Sequence, residues 1–296
     1  MEFGLLFDIG ISGLIMGGIY ALIAIGLNLQ YGLMRILNIA HGELVMLGAY
    51  ITFSLYSGLG LNPLLSLVVS GPAIFLLGLL IHRLLFQHML QTSHSLEALE
   101  GDSLLVSFGL MFIIQNLALM IWGADLRGYA YLNEPVAFLG AVFPANRFLA
   151  FSVAILLSVG FYLFLRFSLA GKVVRAVMQD KVGCQLIGVR IFKVHRICFG
   201  LGVAMAAMTG SLLSMVFDLS PSMGLPFTVT GLIVVVLGGL GSISGSLIGG
   251  LILGVVESLG AYFTSPDLKI VISYAVFIAI LLIRPNGLLG VRGRGD

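Results

Sequence analysis

Charge is what this sequence has least of. Only 9% of its 296 residues are Asp, Glu, Lys or Arg, while 59% are hydrophobic. A soluble domain carries roughly 25% charged residues, and a globule this apolar could not cover its own surface. A water-soluble enzyme is excluded; over most of the chain the solvent is lipid. Cysteine is scarce too. Cys184 and Cys198 lie in or beside a basic segment expected in the cytoplasm, where a disulfide is not expected, and read as small buried fillers. No Walker A pattern occurs, so ATP hydrolysis by this chain is not expected. No His, Cys or Glu spacing suits a metal, and no catalytic constellation appears. The formal net charge of +2 gives no sign of a nucleic-acid partner. The opening MEFGLLFDIGISG carries acids where a signal peptide carries its basic start, so the first apolar run is expected to remain as a span.

What the chain does have is long apolar runs. They do not alternate, so helices rather than a closed barrel satisfy the backbone in lipid. At about 20 residues per span there is room for roughly eight to ten. Interruptions by charge, proline or polar clusters place spans near 9–29, 36–56, 62–85, 103–122, 147–167, 197–217, 227–240, 244–263 and 268–284. The expected fold is therefore an all-α polytopic membrane protein of eight or nine transmembrane helices, forming one transmembrane domain over 1–296. Twelve of the fifteen Lys and Arg fall on one side of this topology, including seven in 166–196 and Arg284, Arg292 and Arg294 near the end. That side is expected to be the cytoplasm, with the N-terminus outside and the C-terminus inside. The segment 227–263 is hardest to divide: FTVTGLIVVVLGGL is short for a crossing, and GGLGSISGS disfavours a continuous helix. A broken, partly re-entrant pair keeps the parity of crossings. GELV at 42–45 overlays GSLI at 245–248, which suggests two pseudo-repeated halves. Gly13 and Gly17, Gly245 and Gly249, and Gly250 and Gly254 each form GxxxG, expected to bring helix backbones close.

Polar groups inside such a chain need reasons. In NIAHGELVMLGAYITF, residues 38–53, Asn38, His41 and Glu43 head an apolar run. Residues three apart share a helix face and residues two apart do not, so His41 and Glu43 point apart. One reading is capping and helix-to-helix bonding, with Asn38 an N-cap and Glu43 a complement to the positive helix end. The other puts the three in the conduit or its gate, because ionisable groups inside membranes lean functional. The second break, near 238–246, brings Gly239, Ser242 and Ser244 forward as residues that line the route or move. Glu257, deep in its span, is expected to bond a neighbouring helix or to reach the interface.

The loop of about 168–195 is the longest polar stretch. In GKVVRAVMQDKVGCQLIGVRIFKVHR, Val173, Val174, Val177 and Met178 can form an apolar helix face, with Lys172, Arg175 and Gln179 elsewhere. This suits a helix lying at lipid headgroups or one docking on a cytoplasmic partner.

Four stretches together resemble the permeases of branched-chain amino acid ABC importers, over nearly the whole chain. They are GGIYALIAIGLNLQYG at 17–32, LNIAHGELVMLGAY at 37–50, RAVMQDKVGCQLIGV at 175–189 and VVVLGGLGSISGSLIGG at 234–250; the ending LLIRPNGLLG is similar as well. The resemblance implies an inner-membrane subunit of a heteromeric importer. A second homologous permease, two ATP-binding subunits carrying ATP and Mg, and an extracytoplasmic solute-binding protein would complete it. It also implies that the polar loop couples to an ATPase subunit, through Lys172, Arg175, Ala176, Asp180 and Gly188; Cys184 stands where the family commonly has alanine. Related importers handle urea, short amides or other small organic solutes, which leaves a second substrate class open. A secondary transporter would use broken helices too, but would need coupling acids deep in the bundle.

Overall fold

The computed structural model describes residues 2–138, 141–265, 268–284 and 287–290. The chain is built of α1 (Glu2–Met34), α2 (His41–Leu59), α3 (Pro63–Ile81), α4 (Gln87–Thr92), α5 (Leu96–Trp122), a hairpin of β1 (Pro135–Phe138) and β2 (Ala141–Pro144), α6 (Ala145–Phe167), α7 (Leu169–Gln179), α8 (Lys181–Leu186), α9 (Ile191–Leu213), α10 (Gly224–Gly238), α11 (Ile243–Phe263) and α12 (Lys269–Ile283). A π-turn at His82–Phe86 joins α3 to α4. Each of the nine apolar runs is a helix, which makes the chain a multi-pass membrane protein. Among the described residues, six helical stretches are long and apolar enough to cross: Leu6–Met34, Pro63–Thr92, Leu96–Trp122, Ala145–Phe167, Ile191–Leu213 and Ile243–Phe263.

Local chemistry sets the helix starts. Asn62 accepts a hydrogen bond from the Leu64 amide ahead of Pro63, and Ser95 and Ser168 do the same for Ala98 and Gly171. The loop 123–147 is less plain than its sequence suggests. It folds into the antiparallel β1–β2 hairpin, with Val136 opposite Phe143, and Phe143 packs on Ile15 of α1.

At the centre stands α1, packed against α11, α9, α6 and α10. Its pairing with α11 is the expected glycine contact. A Cβ on Gly13 would come within 2.6 Å of the Gly254 carbonyl, and one on Gly17 within 2.7 Å of the Gly250 carbonyl. Bare backbones meet there, as GxxxG allows. Gly48 and Gly210 join α2 to α9 in the same way. The fully buried Leu22, Ile23, Ile25 and Leu29 of α1 fill the core between these helices.

At about 22 Å, α10 falls short of the ~30 Å hydrocarbon core. It turns back through residues 239–242 into α11, and Gly239 (φ 108°) and Gly241 (φ 83°) hold left-handed conformations that suit glycine. Leu288 and Leu289 donate backbone hydrogen bonds to the Leu237 and Gly238 carbonyls, so the end of the described chain closes over the last turn of α10. Pro285, Asn286, Arg292 and Arg294 lie outside the described residues. A two-fold repeat is not confirmed. Gly42 packs across onto Gly224 and Thr228, whereas Gly245 packs on Gly238 within its own hairpin.

Candidate functional site

After α1 ends, the chain reverses at Arg35 (φ 58°) and returns along α1 without helical structure. Asn38 donates from Nδ2 to Gln30 Oε1 at 3.1 Å, and the His41 ring lies against Gly26. Gly26 precedes the last residue of α1 by about 12 Å of helix, so α2 begins inside the bundle. Non-helical backbone at that depth is tolerated only where protein groups satisfy it. Here α5 and α10 supply them. Leu37 and Ile39 donate their amides to Ser103 Oγ and Ser107 Oγ, each at 3.1 Å. Thr228 Oγ1 accepts from the Gly42 amide and donates to the Ile39 carbonyl, both at 2.8 Å.

Asn38 is not the cap: Ala40 holds that position without a side-chain cap bond, while Glu43 stands in the first turn of α2 and Thr228 of α10 bonds the Gly42 amide there. Asn38 is pulled away because the re-entrant chain sets it beside Gln30. As the spacing required, His41 and Glu43 part company: His41 faces α1, and Glu43 faces α10. Glu43 is 1% exposed and its carboxyl group lies against Gly224, where a Cβ would collide with all three carboxyl atoms. Among the described residues, Glu43 Oε2 and Asn38 Oδ1 have no hydrogen-bond partner. Because α2 and α10 both begin here, two positive helix ends converge on one buried carboxyl group.

At the other end of α10, Asn28 of α1 holds the turn. Its Nδ2 donates to the Gly239 carbonyl (3.2 Å), the Ser242 carbonyl (2.9 Å) and Ser246 Oγ (2.7 Å), while its Oδ1 accepts from the Gly241 amide (2.6 Å). Ser242 caps α11, accepting from the Gly245 amide at 3.1 Å. Ser244 instead lines a depression with Ile25, Ser158 and Tyr162. The sequence-derived gate residues thus do not form one site: Glu43 sits at the start of α10, Asn38 and His41 lie against α1, and Gly239 and Ser242 form the turn at the other end of α10.

In the polar loop, α7 buries Gly171, Val174 and Val177. Val173, expected on the apolar face, is exposed, because the buried face recurs every third residue from Gly171. Lys172, Arg175, Ala176, Asp180 and Gly188 are all exposed. Around them Leu169, Val182, Leu186 and Ile187 expose most of their apolar surface. Asp180 also caps α8, accepting from the Gly183 amide at 2.9 Å. Burial, with the Arg35 charge adding to it, pulls the Lys181 ammonium below the usual lysine range. Met178 packs on Gly32 near the end of α1, and Gly32 in turn touches Gly241.

Residues 10–281 match the family described as the permease component of the branched-chain amino acid transport system. The chain belongs to that family. It is 31% identical to the high-affinity branched-chain amino acid transport permease LivH of Salmonella typhimurium, over 94% of each chain. It is also 31% identical to BraD of Pseudomonas aeruginosa, over 95% of this chain and 94% of that one. More distantly, it is 27% identical to the permease LivM of the same Salmonella, over 92% of this chain and 68% of LivM. No solved structure matches it.

As a member of this family, the chain is a transport permease component. Glu257 behaves as the bonding reading expected: Tyr20 Oη and Ser273 Oγ donate to its two oxygens at 2.9 and 2.6 Å. Cys184 and Cys198 are free and buried. Reasoning from sequence missed Asn28, Gln30, Ser103, Ser107 and Thr228. Each is a polar residue inside an apolar run, a signal that points to function or to re-satisfied backbone but names no partner.

Proposed function

We propose that the chain is one permease subunit of an ATP-driven importer of branched-chain amino acids in the cytoplasmic (inner) membrane. It forms the translocation path with a second homologous permease. ATP and Mg bind two separate ATPase subunits, and an extracytoplasmic binding protein delivers the solute. The α7 end of the bundle faces the cytoplasm. Arg35, Arg166, Arg175, Lys181 and Arg196 gather there, in line with the bias of cytoplasmic loops toward Lys and Arg.

The observation that carries this reading is the outer surface of α7 and α8. It is basic and apolar at once, unpacked against the bundle, and joined to it through Gly171, Val174 and Val177. Such a face suits a docking helix. The likeness to LivM, alongside that to LivH, supports a paired permease. The test is co-purification of two ATPase subunits from native membranes, followed by reconstitution. Arg175→Glu and Asp180→Lys should leave the complex in the membrane and ATP hydrolysis running while leucine uptake falls. Normal uptake by both variants would refute the coupling role.

A further inference from the structure

We propose that Glu43 is the ligand for the positively charged amino group of the solute, at a binding point formed where the first turns of α2 and α10 meet. The proposal rests on the reading of the chain as an amino-acid permease and names the chemistry of its path.

Among the described residues, two acids lie deep in this bundle, and the structure treats them differently. Glu257 has a donor on each oxygen. Glu43 is as deeply buried, yet its Oε2 has none. A buried acceptor left empty is costly, and native structures keep such groups where they serve a purpose. The neighbouring Asn38 Oδ1 is empty as well, so two unpartnered oxygens lie within six residues at a chain break inside the bundle.

The setting suits a zwitterion. The first-turn amides of α2 are already taken, by the Asn38 and Ala40 carbonyls and by Thr228 Oγ1, whereas Met223, the cap residue of α10, offers no side-chain hydrogen bond to the turn that follows. Broken helices in transporters aim such N-termini at anionic solute groups. An α-amino acid presents a carboxylate that suits the start of α10 and an ammonium that suits Glu43 Oε2. Gly42 and Gly224 leave bare backbone on both sides of this point, and Gly224 gives the Glu43 carboxyl group its place. In this state the seam is shut, with Gly42 against Gly224 and the Thr228 hydroxyl bridging α10 to Gly42 and Ile39. A solute reaches Glu43 when the start of α10 parts from α2.

The experiment uses the whole reconstituted importer with its binding protein. ATP-dependent leucine uptake by the wild type comes first; without it, the importer reading itself fails. Given uptake, Glu43→Gln should lower it about tenfold or more, the loss of one charge-assisted hydrogen bond, with assembly and basal ATP hydrolysis kept. Glu43→Asp should recover part of it. Independently of any variant, a hydrophobic carbodiimide is applied to the wild-type importer during turnover, and modified peptides are read by mass spectrometry. Leucine should slow labelling at Glu43 and leave Glu257 unchanged. Full uptake by an assembled Glu43→Gln importer, or equal labelling of Glu43 with and without leucine, would overturn the proposal.

Discussion

Asn28 offers the sharpest test of how the α10–α11 turn is held. Asn28→Ala removes three donated bonds and one accepted bond, but the groups it leaves behind do not suffer equally. The Gly239 carbonyl keeps the Ser242 amide, and the Ser242 carbonyl keeps the Ser246 amide. Among the described residues only the Gly241 amide loses its one partner. That orphaned donor costs about 1–3 kcal/mol, and the carbonyl bonds add about 0.5–1.5 kcal/mol, for a sum near 2–4 kcal/mol. At about 2–4 °C per kcal/mol, thermal unfolding in detergent should come several degrees lower. Asn28→Leu separates hydrogen bonding from packing, since it nearly refills the volume and restores no bond. If the hydrogen bonds matter, Leu and Ala should be similarly destabilised. A Leu variant with wild-type melting would refute the reasoning.

Other consequences follow from contacts already described. Gly17→Leu or Gly250→Leu must separate α1 from α11, whose backbones touch there, and should abolish folded protein in detergent extracts; normal yield would contradict the close pairing. Thr228→Val keeps the shape but strips the hydroxyl from the Gly42 amide and the Ile39 carbonyl, and should lower the melting temperature by several degrees, as scanning calorimetry can read. A cysteine at Ser244, in the depression beside Ile25 and Tyr162, should change its reaction rate with thiol reagents between ATP-bound and nucleotide-free importer. An unchanged rate would remove Ser244 from the moving parts.

The apolar runs made the helices legible because each span must be apolar along its length, whatever packs against it. The weak segment 227–263 was legible for the opposite reason: too little helix length and too much glycine for one crossing. The site was legible in residue type but not in arrangement. Asn38 has the chemistry of a cap, and the sequence placed it near a helix start. The helix begins later, after a re-entrant stretch whose amides depend on Ser103, Ser107 and Thr228. Those partners lie far off in the chain, so no local pattern could reveal the stretch. Val173 failed similarly. Its apolarity suited the inner face of α7, but the register set by Gly171 against Leu165 turned it outward.

The contacts of Gly32 join the polar loop to the second break, and they allow the coupling idea to be tested away from the docking surface. A Cβ at Gly32 would meet two neighbours of different stiffness. Met178 Cε of α7 is the tip of a flexible side chain and can swing aside. The Gly241 Cα, 2.9 Å away, is backbone in a turn bolted by Asn28, and it cannot. Gly32→Ala must therefore push the α10–α11 turn from the end of α1 by several tenths of an ångström. Met178→Ala relieves the first collision and leaves the second. If motion of α7 reaches α10 through this contact, Gly32→Ala should lower the leucine carried per ATP hydrolysed, and adding Met178→Ala should not restore it. If the two helices are merely neighbours, displacing the turn should leave that ratio at its wild-type value. Restoration of the wild-type ratio in the double variant would break the proposed link.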